Sequence, residues 1–277
     1  MRVLLWAALA TGVLIAGYYT ALLVVPLKVL NLFPAAHEEV AYGPLPRQRM
    51  DVFGANHPEE PVVVFFHGGN WDSGAKEDYR FVATSLVGAP AQVVVPNYRL
   101  EPFPAFMEDA ALAVAKVRKS YPNDRLYLMG HSAGAHIAAL LALDPRYLEA
   151  VGLDRCEAID GWIGLSGPYD FLPITSERTA RTFPPDTRAD SQPLLFAKAP
   201  APPALLIHGT ADTTVHAEDT ELLAAALERA GVPVQTALLE GKGHRNTIAA
   251  FGRGLGWIAD VREPVDRFLR NSPEPGC

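Results

Sequence analysis

The sequence predicts an α/β fold with a mostly parallel central sheet flanked by helices. Short apolar runs typical of strands alternate with segments of helical periodicity, and this alternation indicates βαβ units. Several of these runs are almost continuously apolar, as in residues 61–69, which suits strands buried on both faces of a parallel sheet. The chain has 277 residues, which is enough for one large domain of this class.

The N-terminal segment differs from the rest of the chain. Residues 3–25 contain no charged side chain, and about 20 apolar residues cross the hydrocarbon core of a bilayer. We therefore expect residues 1–27 to be a single-pass membrane anchor, with a cleavable signal peptide and a secreted or periplasmic protein as the alternative. Arg2 before the segment and Lys28 after it weakly favour an extracytoplasmic catalytic domain.

After the anchor, residues 28–44 are predicted to be a connector and residues 45–272 the catalytic domain, with a first, edge strand at 47–53. Further strands are predicted at 61–69, 91–100, 125–130, 158–167, 203–212 and 232–241. Helices are predicted at 106–120, 133–143, 217–230 and 257–270. The proline-rich segment at about 171–203 has no strong period and is expected to cross the sheet as a short cap.

Charge and cysteine content exclude several classes of function. The net charge is −7 with both signs interspersed, and no basic stripe suggests nucleic acid as a partner. Cys156 and Cys277 are the only cysteines, and no C-x-x-C or Cys/His cluster suggests a metal. We expect no cofactor. The sequence leaves the redox compartment and the oligomeric state open.

Polar or glycine-rich residues follow five of the predicted strands. These strand ends read HGGNW (67–71), GHSAG (130–134), SGPYDF (166–171), GTAD (209–212) and GKGH (241–244). In parallel sheets of this kind, ligands bind at the carboxyl ends of the strands. Five such ends on one edge therefore predict a functional site.

The GHSAG stretch fits the pattern G-x-S-x-G between a strand and a helix. This context predicts that Ser132 occupies a strained turn with its hydroxyl above the sheet. Gly130 and Gly134 would leave room for the strand and the helix to pack closely, and His131 is the variable residue before the serine. The helix N-terminus would offer N–H groups to an oxyanion.

A serine hydroxyl is a poor nucleophile without a base, and the base needs a carboxylate to orient it. The chain order expected for this architecture is Ser, acid, His. Asp212 follows the penultimate strand, and His244 lies in a glycine-flanked loop after the last one. These positions predict a catalytic triad of Ser132, Asp212 and His244.

Other residues compete for these roles. His216 is the nearest rival base, although it follows Asp212 by only four residues on the approach to a helix. His208 is expected to be a strand-end residue with its hydrogen bonds satisfied. Glu218 and Asp219 are rival acids, and both are expected to be solvated helix residues.

An oxyanion hole requires backbone N–H groups aimed at the developing charge. One donor should be Ala133, directly after the nucleophile. The others should be Gly69 and Asn70 in HGGNW, where the backbone can approach the substrate.

Several neighbours are expected to support the site. We expect His67, beside Gly68, to brace the loop by hydrogen bonds rather than act as a base. Trp71 either lines the pocket or packs beneath the loop, and the sequence leaves both open. His136 should face neighbouring loops, and Tyr169 should help to shape the entrance to the cap.

Taken together, HGGNW, YRLEPFPAFMEDA, GHSAGAH, SGPYDF, GTAD and GKGH resemble the α/β-hydrolase superfamily over roughly residues 45–270. They are similar to carboxylesterases related to hormone-sensitive lipase, to feruloyl-esterase-like enzymes and to kynurenine formamidase. HGG-x-W with GHSAGAH is similar to the formamidase and prenylcysteine-methylesterase branch. The hormone-sensitive-lipase pattern has HGGG and usually GDSAGG, where this chain has Asn70 and His131.

The resemblance implies an α/β-hydrolase fold and a small-molecule ester or formamide substrate. With the predicted triad, it indicates a serine hydrolase that cleaves carboxylic esters through an acyl-enzyme. The alternatives are an arylformamidase-like amide hydrolase, a membrane-associated lipase or prenylcysteine methylesterase, and an acyltransferase. A non-catalytic scaffold on the same fold is a further alternative, which covalent labelling of Ser132 would exclude.

Overall fold

The computed structural model describes residues 30–31, 34–54, 60–87 and 91–271. The anchor or signal peptide expected at residues 1–27 lies outside these ranges. Within them, no helix has both the length and the apolar character that crossing a bilayer requires.

Eight strands of the described residues form one sheet. They are β1 (His37–Ala41), β2 (Arg49–Phe53), β3 (Val62–Phe66), β4 (Gln92–Pro96), β5 (Leu126–His131), β6 (Gly161–Leu165), β7 (Ala204–Gly209) and β8 (Val234–Leu239). Their order is β1-β2-β4-β3-β5-β6-β7-β8. The first two pairings are antiparallel and the other five are parallel, which confirms the mostly parallel sheet.

Helices cover both faces of this sheet. The α-helices of the described residues are α1 (Arg80–Leu86), α2 (Ala105–Ser120), α3 (Ala133–Leu143), α4 (Pro145–Glu149), α5 (Arg155–Ala158), α6 (Glu177–Thr182), α7 (Ala217–Arg229), α8 (Asn246–Ala249) and α9 (Arg262–Asn271). Short 3-10 turns lie at Lys76–Tyr79, Pro185–Thr187, Ala189–Ser191, Pro193–Phe196 and Gly256–Ile258. Every residue of α3 is buried, so the helix that follows Ser132 is fixed from all sides.

The apolar runs form buried strands, as the sequence predicts. All five residues of β3, of β4 and of β6 are buried. Their side chains alternate between two core clusters, with Val62 and Val64 on one face of the sheet and Val63 and Phe65 on the other. A strand that packs on both faces needs apolar residues at every position, which explains the continuous runs.

Strand β1 lies within the predicted connector, so β2 is not the edge strand that the sequence indicates. The segment HEEVA is mostly exposed and has no apolar run, which is why its pattern does not reveal a strand. Its pairing is supported by Lys76, whose buried ammonium lies 2.6 Å from Asp51 of β2 and 2.7 Å from Glu39 of β1.

The cap segment, residues 171–203, contains α6 and three of the short 3-10 turns. Phe183 anchors it, because this side chain is fully buried and packs edge-on against Trp71 at a ring-centroid distance of 4.7 Å. The rest of the segment runs over the carboxyl ends of the strands, where residues 171–179 border a cavity.

Candidate active site

Ser132 lies between the last residue of β5 and the first residue of α3. Its φ of 56° and ψ of −122° place it in a backbone region that non-glycine residues rarely adopt. A Cβ on Gly130 would lie 2.1 Å from the carbonyl oxygen of Gly134, and one on Gly134 would lie 2.0 Å from that of Phe66. Both positions therefore require glycine for the turn to close.

Asp212 and His244 meet above the ends of β7 and β8. His244 Nδ1 lies 2.7 Å from Asp212 Oδ2. The other carboxylate oxygen, Oδ1, accepts hydrogen bonds from the N–H groups of Thr214 and Val215 at 2.8 and 3.0 Å. Burial alone would raise the pKa of Asp212, but these contacts and those of two histidines hold it below its ordinary value. The carboxylate is thus kept ionised beside the imidazole.

His208 is the second histidine at this carboxylate. It is fully buried, and its Nε2 lies 3.2 Å from Asp212 Oδ2 and 3.0 Å from the carbonyl oxygen of Val215. Both of these atoms are acceptors, so the ring proton is on Nε2, and the Thr220 hydroxyl donates to Nδ1 at 2.7 Å. The expectation of a satisfied strand-end residue is confirmed, but the contact with Asp212 was not foreseen. The spacing of four residues between His208 and Asp212 is the sequence feature that could have indicated this contact.

The rival acids lie on α7, and the rival base lies directly before this helix. His216 is exposed and borders the cavity, and Glu218 is exposed on α7. Asp219 is half-buried, and its carboxylate accepts a hydrogen bond from the backbone N–H of Tyr169 at 3.0 Å. The expectation that Asp219 is simply solvated is therefore wrong. Tyr169 is fully buried rather than at the cap entrance, because its ring packs against Trp162 in the core.

The loop after β3 turns sharply towards Ser132. Gly69, Asn70 and Trp71 have φ values of 129°, 53° and 62°, so three successive residues lie in the left-handed region. The carbonyl oxygen of Gly69 accepts from the N–H and the hydroxyl of Ser73 at 3.0 and 2.6 Å. Backbone turns of this kind can present N–H groups to an anion. Asn70 borders the cavity together with Ser132 and Ala133.

His67 braces this loop, as expected. The Nδ1 atom of its buried ring donates to the carbonyl oxygen of Gly68 at 2.8 Å. The ring stacks on Tyr98 at 4.1 Å, and the Tyr98 hydroxyl donates to the His67 carbonyl oxygen at 2.8 Å. Burial lowers the pKa of His67 to about 4, so it remains neutral at physiological pH.

Trp71 both lines the cavity and packs beneath the loop. Its side chain is 4% exposed, and its indole N–H donates to His136 Nδ1 at 3.1 Å. An indole is only a donor, so the His136 proton is on Nε2, which donates to the carbonyl oxygen of Ser191 in the cap segment at 2.7 Å. His136 therefore joins two loops, as its position suggested.

A cavity of about 320 Å³ opens beside Ser132. Apolar side chains from the loop after β3 (residues 67–71, here called the oxyanion loop) and from the cap segment form part of its wall, and several hydroxyl groups lie among them. The lining residues are Asn70, Trp71, Ser132, Ala133, Pro168, Phe171, Pro173, Ile174, Thr175, Ser176, Thr179, Thr214, Val215 and His216. This lining contains no carboxylate, ammonium or guanidinium group. Across the described residues, no three His, Cys, Asp or Glu side chains are grouped to hold a metal ion.

Comparison with known proteins gives consistent relatives. The BD-FAE family model matches residues 50–227. A probable isoprenylcysteine alpha-carbonyl methylesterase, ICMEL1 of Arabidopsis thaliana, is 28% identical over 76% of this chain and 51% of its own length. Kynurenine formamidase of Danio rerio is 35% identical over 50% of this chain and 48% of its own length. This chain spans about half the length of the curated relatives it matches.

Two solved structures illustrate the likeness of fold. A truncated carbohydrate esterase from gut microbiota has a TM-score of 0.72 at 17% identity, over 86% of this chain and 96% of that one. An esterase from Thermogutta terrifontis, Est2, has a TM-score of 0.69 at 24% identity, over 84% and 91%. These likenesses show the α/β-hydrolase fold.

Proposed function

This chain belongs to the BD-FAE family, and we propose that it is a serine hydrolase that cleaves carboxylic esters through an acyl-enzyme intermediate. The observation that carries the proposal is the strained Ser132 at the same sheet edge as the hydrogen-bonded Asp212–His244 pair. The names of the relatives, which include esterases and methylesterases, support ester hydrolysis.

In the first half-reaction, Ser132 Oγ attacks the ester carbonyl carbon while His244 Nε2 accepts the hydroxyl proton. Asp212 accepts the Nδ1–H of His244 and stabilises the imidazolium as it forms. The carbonyl oxygen becomes an oxyanion, and we assign the N–H groups of Ala133, Asn70 and Gly69 as its donors. The tetrahedral intermediate then collapses, and the alcohol leaves with the proton of His244.

In the second half-reaction, a water molecule attacks the acyl-enzyme carbonyl carbon and gives its proton to His244 Nε2. Collapse of this intermediate releases the carboxylic acid, and the proton returns to Ser132 Oγ. No electron transfer or further reactant is needed.

The cavity lining favours an uncharged substrate. Apart from the exposed His216, no titratable side chain lines the cavity, so a charged group that leaves water there would find no carboxylate, ammonium or guanidinium partner. N-formylkynurenine carries an ammonium and a carboxylate at its amino-acid end, so it fits this lining less well than an uncharged ester does. Arylformamidase activity stays the second candidate, supported by the 35% identity to the zebrafish formamidase.

The test is hydrolysis by the full-length chain of p-nitrophenyl esters from C2 to C12, with N-formylkynurenine alongside. We expect ester turnover and fluorophosphonate labelling, both abolished in Ser132→Ala. Fast deformylation with negligible ester turnover would move the assignment to the formamidase. A folded wild-type chain that neither turns over nor reacts with the probe would overturn the proposal.

We also propose that residues 1–27 anchor the protein in a membrane, with the catalytic domain on the extracytoplasmic side. The uncharged stretch at 3–25 supports the anchor. Arg2 before the stretch and Lys28 after it support the orientation. Membrane fractionation with protease protection in intact cells tests both points. Recovery of a shortened protein in the soluble periplasmic or culture fraction would instead indicate signal cleavage.

A further inference from the structure

Two buried side chains hold the backbone carbonyl of His244, and a third supports one of them. Its oxygen accepts hydrogen bonds from His131 Nε2 and from the Thr247 hydroxyl, each at 3.1 Å. Ser166 Oγ lies 3.0 Å from Thr247 Oγ1 and extends this contact to the end of β6. We call His131, Thr247 and Ser166 the carbonyl clamp.

The direction of each hydrogen bond in the clamp follows from its partners. A carbonyl oxygen only accepts, so His131 carries its proton on Nε2 and the Thr247 proton points at the His244 oxygen. Ser166 must then be the donor to Thr247 Oγ1. Burial, followed by the charge of His244, lowers the pKa of His131 to about 3. The ring therefore stays neutral, with its one proton committed to the carbonyl.

The clamp is buried, and one of its members is strained. His131 is 4% exposed, and Ser166 and Thr247 are fully buried. Ser166 has a φ of 49°, a left-handed conformation that costs a non-glycine residue about 1–3 kcal/mol. Such strain persists only where the surroundings impose it, and here it accompanies the contact between the Ser166 hydroxyl and Thr247.

The position of the base in the sheet explains why a clamp is useful. His244 follows β8, an edge strand three places from the β5 strand that carries Ser132. The bond from Nδ1 to Asp212 holds the ring at one point only, and a misplacement of about 1 Å can cost about 10²-fold in rate. His131 directly precedes Ser132, so its bond to the His244 backbone sets base and nucleophile relative to each other.

We propose that His131, Thr247 and Ser166 are positioning residues for His244 in catalysis. This inference rests on the proposed function, because it assigns His244 as the general base. The clamp members act through the His244 backbone, so their loss should lower kcat and leave KM unchanged. If these residues were only structural, their replacement would lower the folding stability without a selective loss of kcat.

The experiment compares conservative pairs in the full-length chain. Thr247→Val removes the hydroxyl at nearly constant shape, and we expect kcat to fall about 10-fold with unchanged KM. Thr247→Ser keeps the hydroxyl and should recover most of the rate. His131→Phe should lower kcat about 10²-fold, and His131→Gln, which restores an N–H donor, should recover part of it.

Thr84→Val is the matched control. Thr84 also donates its hydroxyl to a backbone carbonyl on a helix, that of Arg80 at 2.9 Å, but it lies on α1 outside the site. Its loss should affect stability alone. Wild-type kcat in folded Thr247→Val and His131→Phe variants would overturn the proposal, as would equal losses in kcat for Thr84→Val.

A low-field proton NMR signal provides a readout that does not depend on turnover. The His244 Nδ1–H bonded to Asp212 should give such a resonance in the wild type, and it should shift or broaden in Thr247→Val and His131→Phe but not in Thr84→Val. An unchanged resonance in the clamp variants overturns the clamp. Lack of ester turnover in the wild type instead overturns the proposed function, and the resonance still tests the geometry.

Discussion

The carboxyl edge of the sheet and the cap segment border the same cavity, but they are held in place differently. At the edge, Ser132 and Asp212 follow the buried strands β5 and β7 within a few residues, and His244 follows the partly exposed edge strand β8. Their supports are short, buried hydrogen bonds, as between His208 and Thr220. The cap segment has only short helical turns, and part of its contact with the rest of the domain is made by exposed side chains.

The cap segment is tied down by contacts of two kinds. Phe183 and the bond from His136 to Ser191 are buried. Other contacts are exposed: Arg178 of α6 forms a two-pronged ion pair with Asp72, with Nε 2.7 Å from Oδ2, and Asp190 pairs with Arg146 at 3.0 Å. Buried, satisfied polar groups resist change, whereas exposed ion pairs contribute about 0–1 kcal/mol. We infer that the carboxyl edge of the sheet determines the reaction and that the cap segment determines which substrates bind. Exposed residues of the cap segment can change at a small cost in folding stability.

The sharpest test at the edge is Asp212→Asn. An amide at this position places N–H groups towards the histidine N–H donors, which disfavours the required tautomer of His244. We expect kcat to fall about 10⁴-fold. Asp219→Asn is the control: Asp219 is a half-buried carboxylate after β7 that accepts a hydrogen bond from the Tyr169 N–H, and this variant should change kcat by less than about 5-fold. Equal losses in the two variants would show that the acid has been misassigned.

In the cap segment, the largest effect should come from Phe183→Ala. Truncation of a fully buried phenylalanine lowers the free energy of unfolding by about 3–5 kcal/mol. KM should rise as well, because Trp71 loses a ring that it packs against at the cavity wall. Phe268→Ala, equally buried but on α9, should cost a similar amount and leave KM unchanged. Urea denaturation and steady-state kinetics measure both quantities. A normal KM in Phe183→Ala would separate the cap from substrate binding.

Acid should lower the free energy of unfolding through His136, the buried residue that links the oxyanion loop to the cap. Burial lowers the pKa of His136 to about 4, against about 6.5 when unfolded. Between these two pKa values, His136 is protonated in the unfolded chain and neutral in the folded one. Its contribution to the free energy of unfolding is therefore fully present above about pH 6.5 and falls by about 1.4 kcal/mol per pH unit as the pH drops towards 4.

Urea denaturation between pH 5 and 7 measures this slope. His136→Gln cannot titrate and should reduce the slope by that amount, whereas His216→Gln, an exposed control, should leave it unchanged. Identical slopes in wild type and His136→Gln would contradict this assignment.

A smaller effect at the edge should follow from His208→Leu. This variant removes the second donor to Asp212 Oδ2, and we expect kcat to fall about 10-fold. His208→Gln, which has an amide nitrogen near the position of Nε2, should recover part of the rate. A lower melting temperature with unchanged kcat would mean that His208 only packs the core.

The smallest effect should be that of Arg178→Gln on the cap. Loss of an exposed ion pair should raise KM by about 2–5-fold without changing kcat. The wild-type KM should also rise with salt, because exposed pairs are screened. Arg181→Gln on the same helix is the control. A large fall in kcat in Arg178→Gln would show that the ion pair also orders the oxyanion loop.

The placement of the candidate triad could be predicted because each member stands just after an apolar strand. The βαβ alternation puts such strand ends on one edge, so Ser132, Asp212 and His244 follow from pattern and order. Strand β1 could not be found in this way, because HEEVA is solvent-facing and its pairing depends on ion pairs to Lys76. An exposed edge strand and a connector have similar polar sequences, so the sequence does not distinguish them.

Contacts between distant residues were beyond the sequence. The bond between Ser166 and Thr247 joins positions 81 residues apart, and no local pattern encodes it. Tyr169 follows a glycine-rich strand end that suggests a loop, but its ring is buried where Gly164 leaves space, so that an added Cβ would lie 2.0 Å from the Tyr169 hydroxyl. Only packing reveals such complementarity.

The mutual contact of the two motif glycines constrains how this turn can evolve. A side chain at Gly130 collides with the backbone of Gly134, and one at Gly134 collides with the backbone of Phe66. Neither residue can be exchanged unless several main-chain segments move at once, so single-step paths away from the turn lead through unfolded or inactive intermediates. In a saturation library, both positions should therefore tolerate almost nothing but glycine.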